Sequence, residues 1–168
     1  MTMSEQLTTG ERADLVQTLR RHRGFLRQTT DGLTDEQAAT RSTASELCLG
    51  GLIKHVTTVE QRWMRFAVGG AEAMNAEPVD WLGQFRMVEG ETLAGLLGEF
   101  DRVAAETDEL LGTLDLDTAH RLPDAPWFEP GASWTVRRVV LHLIAETAQH
   151  AGHADIIRET IDGARTMG

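Results

Sequence analysis

Four stretches of apolar residues at helical spacing limit what this chain can become. Leu15, Val16, Leu19, Phe25 and Leu26 recur along 9–29, and Leu52, Ile53, Val56, Val59, Trp63 and Phe66 follow Leu49 up to the Gly69-Gly70 pair. A third stripe runs from about Glu91 through Leu93, Leu96, Leu97, Phe100, Val103, Leu110, Leu111 and Leu114, and a fourth fills 134–162 behind Ser133, a natural N-cap. Each stripe must be buried against another element, and four amphipathic helices do so most simply as a four-helix bundle. The expected class is therefore all-α, one domain over 1–168. The connections are longer than those of a simple up-down bundle, which calls for at least one crossover along its length.

Between the helices the punctuation is readable. Thr34 is a cap residue ahead of Asp35, Glu36 and Gln37 and predicts a short helical connector. Residues 70–89 hold Asn75, Pro78, Asp80 and Gly83 around Trp81 and Phe85, the pattern of a long loop covering one end of the molecule. Pro123, Pro126, Pro130 and Gly131 mark a second irregular loop. Gly50 and Gly51 blur the start of the second long helix.

Charge narrows the partners. The formal net charge is −10, which repels a phosphate backbone or an anionic bilayer, so neither nucleic acid nor a membrane is an expected partner. No stretch approaches the roughly 20 apolar residues of a membrane span. The segment 1–10 is polar and lacks the apolar core of a signal peptide, so a cytoplasmic location is expected. The single cysteine, Cys48, lies among Leu47, Leu49 and Leu52 and reads as a small buried side chain in preference to a catalytic thiol.

The chemistry concentrates in the last helix. His142, Glu146, His150 and His153 follow at spacings of four, four and three, within an arc of about 80° on one face. Val139, Leu143, Ala154 and Ile157 flank them, so the polar row borders a buried face, where ionisable groups need partners. Imidazole with carboxylate suits zinc, nickel or iron. His142 and His150 stand about 12 Å apart along the axis and cannot share an ion, which leaves His142/Glu146, Glu146/His150 or His150/His153 as the pair. One helix supplies only two ligands, and His55, inside the apolar 53–59 stretch of the second helix, is the expected third. Taken singly, each of these residues also fits a surface pair or a packed histidine. His22 and His120, among charged or loop residues, are expected at the solvent. Trp63, Trp81, Trp127 and Trp134 are candidate pocket walls as well as packing residues.

The segment Leu52-Ile53-Lys54-His55-Val56-Thr57-Thr58-Val59-Glu60-Gln61-Arg62-Trp63 resembles the metal-ligand helix of the DinB-like superfamily. The segment 142–155, from His142 through Glu146 and His150 to Asp155, resembles the last-helix signature of its actinobacterial branch of mycothiol-dependent transferases and isomerases. The resemblance implies a bundle with an unusual crossover order, frequent dimerisation, and one divalent metal, commonly zinc or nickel, held by His55, Glu146 and His150. Relatives often carry histidine where this chain has Glu146, so this is the two-His, one-Glu variant. It also implies that His153 and His142 face the substrate or support a ligand.

Three protein ligands leave positions open, as in catalytic sites. Three functions follow. The first is thiol transfer, in which a small thiol of the mycothiol type, bound as thiolate, attacks a small electrophile. The second is hydrolysis by metal-activated water with Glu60 or His153 as base. The third is a non-enzymatic metal-binding or stress-response bundle. An Arg158–Asp155 pair is expected on a solvated face.

Overall fold

The helices end where local chemistry ends them. A computed structural model describes residues 10–166; Thr9, the expected start of the first helix, the polar segment before it and 167–168 lie outside the described residues. The long helices are α1 (Glu11–Gln28), α3 (Leu49–Met74), α4 (Leu93–Thr113) and α5 (Val136–Asp162), and α2 (Asp35–Ala39) is the connector. At α2 the Thr34 hydroxyl accepts from the Gln37 amide while the Gln37 side chain accepts from Thr34 N–H, a capping box. Helix α4 is capped by Thr92, whose hydroxyl accepts from Gly95 N–H.

Two boundaries differ from the sequence expectation. The cap of α5 is Thr135, accepting from Arg138 N–H, and not Ser133, because Ser133–Thr135 pairs as strand β2 with β1 (Ala119–Arg121) in a short antiparallel ribbon. Helix α3 does not stop at Gly69-Gly70 but turns there, Gly70 taking φ 75, and runs on to Met74. Only glycine adopts that backbone without strain. At the turn the Ala67 carbonyl accepts from His120 Nε2–H at 3.2 Å, and the His120 ring meets the edge of Phe66. His120 is thus half-buried against α3 and not at the solvent as expected. His22 is also half-buried, with its ring edge against Phe25.

Packing follows the ring α1–α5–α3–α4–α1. Helices α1 and α3 therefore lie across one diagonal and α4 and α5 across the other, and the long segments 29–48 and 114–135 are the crossovers that reach them. Two apolar clusters fill the bundle. One gathers Leu19, Trp63, Phe66, Leu111, Val139 and Leu143; the other gathers Leu26, Leu52, Ile53, Phe100, Ala154 and Ile157.

Between them runs a polar layer. Arg23 of α1 forks onto Glu60 of α3, Nη2 to Oε1 at 2.6 Å and Nε to Oε2 at 3.0 Å, and reaches Asp108 of α4 through Nη1 at 2.9 Å. Arg23 and Glu60 are both buried, and such a pair fixes which helices face one another more than it adds net stability. Burial would favour the uncharged form of Arg23, yet the facing Glu60 and Asp108 carboxylates raise its pKa above the ordinary value. Among the described residues no helix is long and apolar enough to cross a membrane.

Candidate metal centre

His55 sits nearly two turns into α3 on the face turned to α5, where Glu146 and His150 lie one turn apart. The three donor atoms lie within 4.8 Å of one another. His55 Nε2 is 3.9 Å and His150 Nε2 3.5 Å from Glu146 Oε2. A tetrahedral ion with bonds of about 2.1 Å holds its ligands roughly 3.4 Å apart, so this set needs only a small contraction to close on one cation.

A loop side chain orients the His55 ring. Gln84 Nε2 donates to the Trp81 carbonyl at 3.2 Å, which turns its Oε1 onto His55 Nδ1 at 2.9 Å. An amide oxygen only accepts, so Nδ1 carries a proton and Nε2 is the ring atom turned to Glu146. With Glu146 Oε2 opposite it and His150 Nε2 beside that oxygen, three potential ligand atoms converge on one gap. His150 approaches Glu146 foremost, and then His55, and together they hold its carboxyl well below the usual carboxylate range, so it is ionised at neutral pH.

The loop 75–92 makes this arrangement possible. A Cβ at Gly51 would stand 1.9 Å from the Phe85 carbonyl oxygen, and one at Gly50 2.3 Å from the Met87 sulfur. The two glycines at the start of α3 therefore let the loop backbone lie directly on the helix. Cys48, buried, accepts from Gly51 N–H through its sulfur and donates to the Phe85 carbonyl. Lys54 anchors the same loop through Glu91 at 2.7 Å. Phe85 consequently stacks on the His55 ring at 4.1 Å between centroids, and Gln84 reaches Nδ1. Second partners of this kind fix a ligand's tautomer and ring orientation. Sequence reasoning missed Gln84, which has no periodicity to mark it.

The other expected residues divide. His153 lies behind His150, Nδ1 to Nδ1 at 3.3 Å, close enough for one ring to donate to the other. His142 lies edge-on between Trp63, at 4.9 Å, and Trp134, at 5.3 Å, with Nε2 4.0 Å from Glu146 Oε1. Burial lowers its pKa against the pull of Glu146, so its ring is neutral at pH 7. Glu60 is not brought to the cluster. It lies five residues past His55, about 140° round the helix, and turns to Arg23. Arg158 pairs with Asp162 at 2.8 Å and donates to the Thr29 and Asp31 carbonyls, while the Asp155 carboxylate accepts from Thr166 N–H. The expected Arg158–Asp155 pair is replaced because i,i+4 spacing suits Asp162 better than i−3 suits Asp155.

Beside the three donors opens a cavity of about 640 Å³, bordered by Trp63, Trp81, Trp127, Phe128 and His142 and, farther out, by Arg62 and Asn75. Trp134 stands behind Trp63, the two rings stacked at 4.7 Å. Three side chains on one side of an ion, a neutral imidazole beside it and an aromatic cavity in front can hold a bound nucleophile and present a second molecule to it.

Comparison with known proteins follows the same line. The sequence model of the family described as mycothiol-S-transferase matches residues 14–163. A solved structure similar to this chain is that of a conserved protein of locus from Enterococcus faecalis, 17% identical, with a TM-score of 0.62 over 94% of this chain and 100% of that one. At that identity the likeness concerns the fold alone. No curated protein matches the chain.

Proposed function

The chain belongs to the mycothiol-S-transferase family of the DinB-like superfamily, and from that premise we propose that it joins a small thiol of the mycothiol type to a small electrophile. In this reading His55, Glu146 and His150 hold one divalent metal, zinc first, with nickel or iron as substitutes. The metal, when bound, lowers the pKa of the thiol and keeps it ionised as a nucleophile.

The observation that carries the reading is the convergence of His55 Nε2, the Glu146 carboxylate and His150 Nε2 beside an aromatic cavity. Gln84 and His153 act as positioning residues for His55 and His150. His142, neutral and inside the cavity wall, is suited to take up the thiol proton. The aromatic walls offer apolar surface to the body of the electrophile. Attack forms one S–C bond, and the leaving group departs with its electron pair.

The experiment is metal analysis of protein purified without an affinity tag, for wild type, His55→Ala and His150→Ala, followed by thiol consumption on the loaded form. One equivalent of metal in wild type, lost in both variants, with thiol consumed only by the loaded protein, is the expected result. A wild type that holds no metal and gains no thermal stability from added zinc or nickel overturns the proposal.

A further inference from the structure

The cavity has a second polar feature, at its far end from the three donors. Arg62 lies seven residues past His55 on α3, two turns along the same face and about 10 Å away along the axis. Its guanidinium lies over the Trp81 ring at 5.0 Å and gives one hydrogen bond, Nη2 to Asn75 Oδ1 at 3.1 Å. Its Nε is removed from water and meets no acceptor among the described residues.

That is a costly state for a charged donor. Its neighbour Arg65 is answered by Glu77 at 2.8 Å, and Arg23, Arg137 and Arg158 each fork onto carboxylates. Asp124, which also borders the cavity, is engaged with Arg121 at 3.4 Å. In a chain with ten more acidic than basic residues, a half-buried arginine on the cavity wall that no carboxylate answers among the described residues is a vacancy for one. The guanidinium is planar and matches a carboxylate in two parallel hydrogen bonds.

We propose that Arg62 anchors a carboxylate of the second substrate, so that the electrophile is a small organic acid with an aromatic or apolar body. The body spans the Trp63–Phe128–Trp127 wall, with the acid at Arg62 and the reacting carbon toward the three donors. This rests on the transfer reading in one respect only, that the acid belongs to the thiol's co-substrate, because the thiol's own charge develops at the other end of the cavity.

The test needs neither thiol nor turnover. Binding of 4-methylbenzoate and of its neutral isostere 4-methylbenzamide is measured by calorimetry and tryptophan fluorescence on the full chain, as wild type, Arg62→Gln and Arg62→Lys. Wild type is expected to prefer the acid by about tenfold or more. Arg62→Gln should abolish the preference while binding the amide as wild type does, which also reports an intact fold, and Arg62→Lys should keep a reduced preference. Equal binding of both probes, binding of neither, or a preference that survives Arg62→Gln because the acid sits on the metal, each overturns the proposal. Failure of thiol transfer with the preference intact would instead remove the transfer reading and leave the anion site standing.

Discussion

Replacing Gly51 with alanine tests the link between fold and site most directly. By helix propensity alone the change should stabilise α3 by about 1 kcal/mol, since glycine is a poor helix former. The new Cβ, however, would lie 1.9 Å from the Phe85 oxygen, 2.2 Å from its carbonyl carbon and 2.7 Å from Arg86 N. These are backbone atoms with no rotamer to yield, so the loop must lift by about 1 Å or more. Overpacking of this kind costs about 1–3 kcal/mol. Lifting the loop also weakens the Phe85–His55 stack, worth about 0.5–1.5 kcal/mol, and the Gln84–His55 hydrogen bond, worth about 1 kcal/mol. The clash therefore outweighs the propensity, and the net loss is about 1–3 kcal/mol.

The same movement frees the His55 ring, so metal affinity should fall by about tenfold to a hundredfold. Urea unfolding measures the first effect and zinc competition against a chromophoric chelator the second. Gly98→Ala is the control: it lies inside α4 with nothing within 4 Å of the added carbon, and it should raise stability by about 0.5–1 kcal/mol without touching zinc binding. A Gly51→Ala protein that gains stability as Gly98→Ala does, with unchanged zinc affinity, would refute the close approach and its role in holding His55.

Other expectations follow from single contacts. Gln84→Ala should weaken zinc binding about tenfold while leaving the urea midpoint nearly unchanged, because a half-buried loop side chain is lost but an essential one for the His55 tautomer; unchanged zinc binding would show that another group sets the tautomer. Glu60→Ala strands Arg23 beside Asp108 alone and should cost about 3 kcal/mol in urea unfolding, with zinc content intact. Lost turnover at full stability would instead give Glu60 the role of a base. Arg137 holds the carboxyls of Glu11 and Asp117 below their usual range through hydrogen bonds. Its contribution is present above the ordinary carboxylate pKa and fades as pH falls through the depressed values. Arg137→Ala should therefore be less stable than wild type at pH 7, with the gap narrowing as pH falls below the ordinary carboxylate range; a gap that does not change with pH would mean that packing and not charge is at work.

How legible this was depends on which force placed each residue. Helices placed by apolar period were readable: α3 begins at Leu49 and α2 follows Thr34 as their local chemistry dictates. The ends that depended on partners were not. Ser133 looks like a cap in isolation, but pairing of 133–135 with 119–121 carries the chain past it. Gly70 looks like a stop, but a glycine can turn a helix as well as end it.

The site shows the same division. His55, Glu146 and His150 stand out because helical spacing puts donors on facing stripes, and it does so without any knowledge of the loops. Arg23 was equally open to this reasoning. In Val16, Leu19, Arg23 and Leu26 the arginine occupies a core position, and Glu60 does so among Ile53, Val56 and Trp63. Opposite charges at core register on two helices already imply that those helices meet, which would have placed α1 across from α3 and taken Glu60 out of the candidate bases. Gln84 and Arg62 belong to the other kind. One lies in a loop without period, and the other is distinguished only by the acid that fails to face it. The signal that did exist was indirect: two adjacent glycines opening a 26-residue helix weaken it unless something must come close. What comes close is the backbone that sets the His55 tautomer.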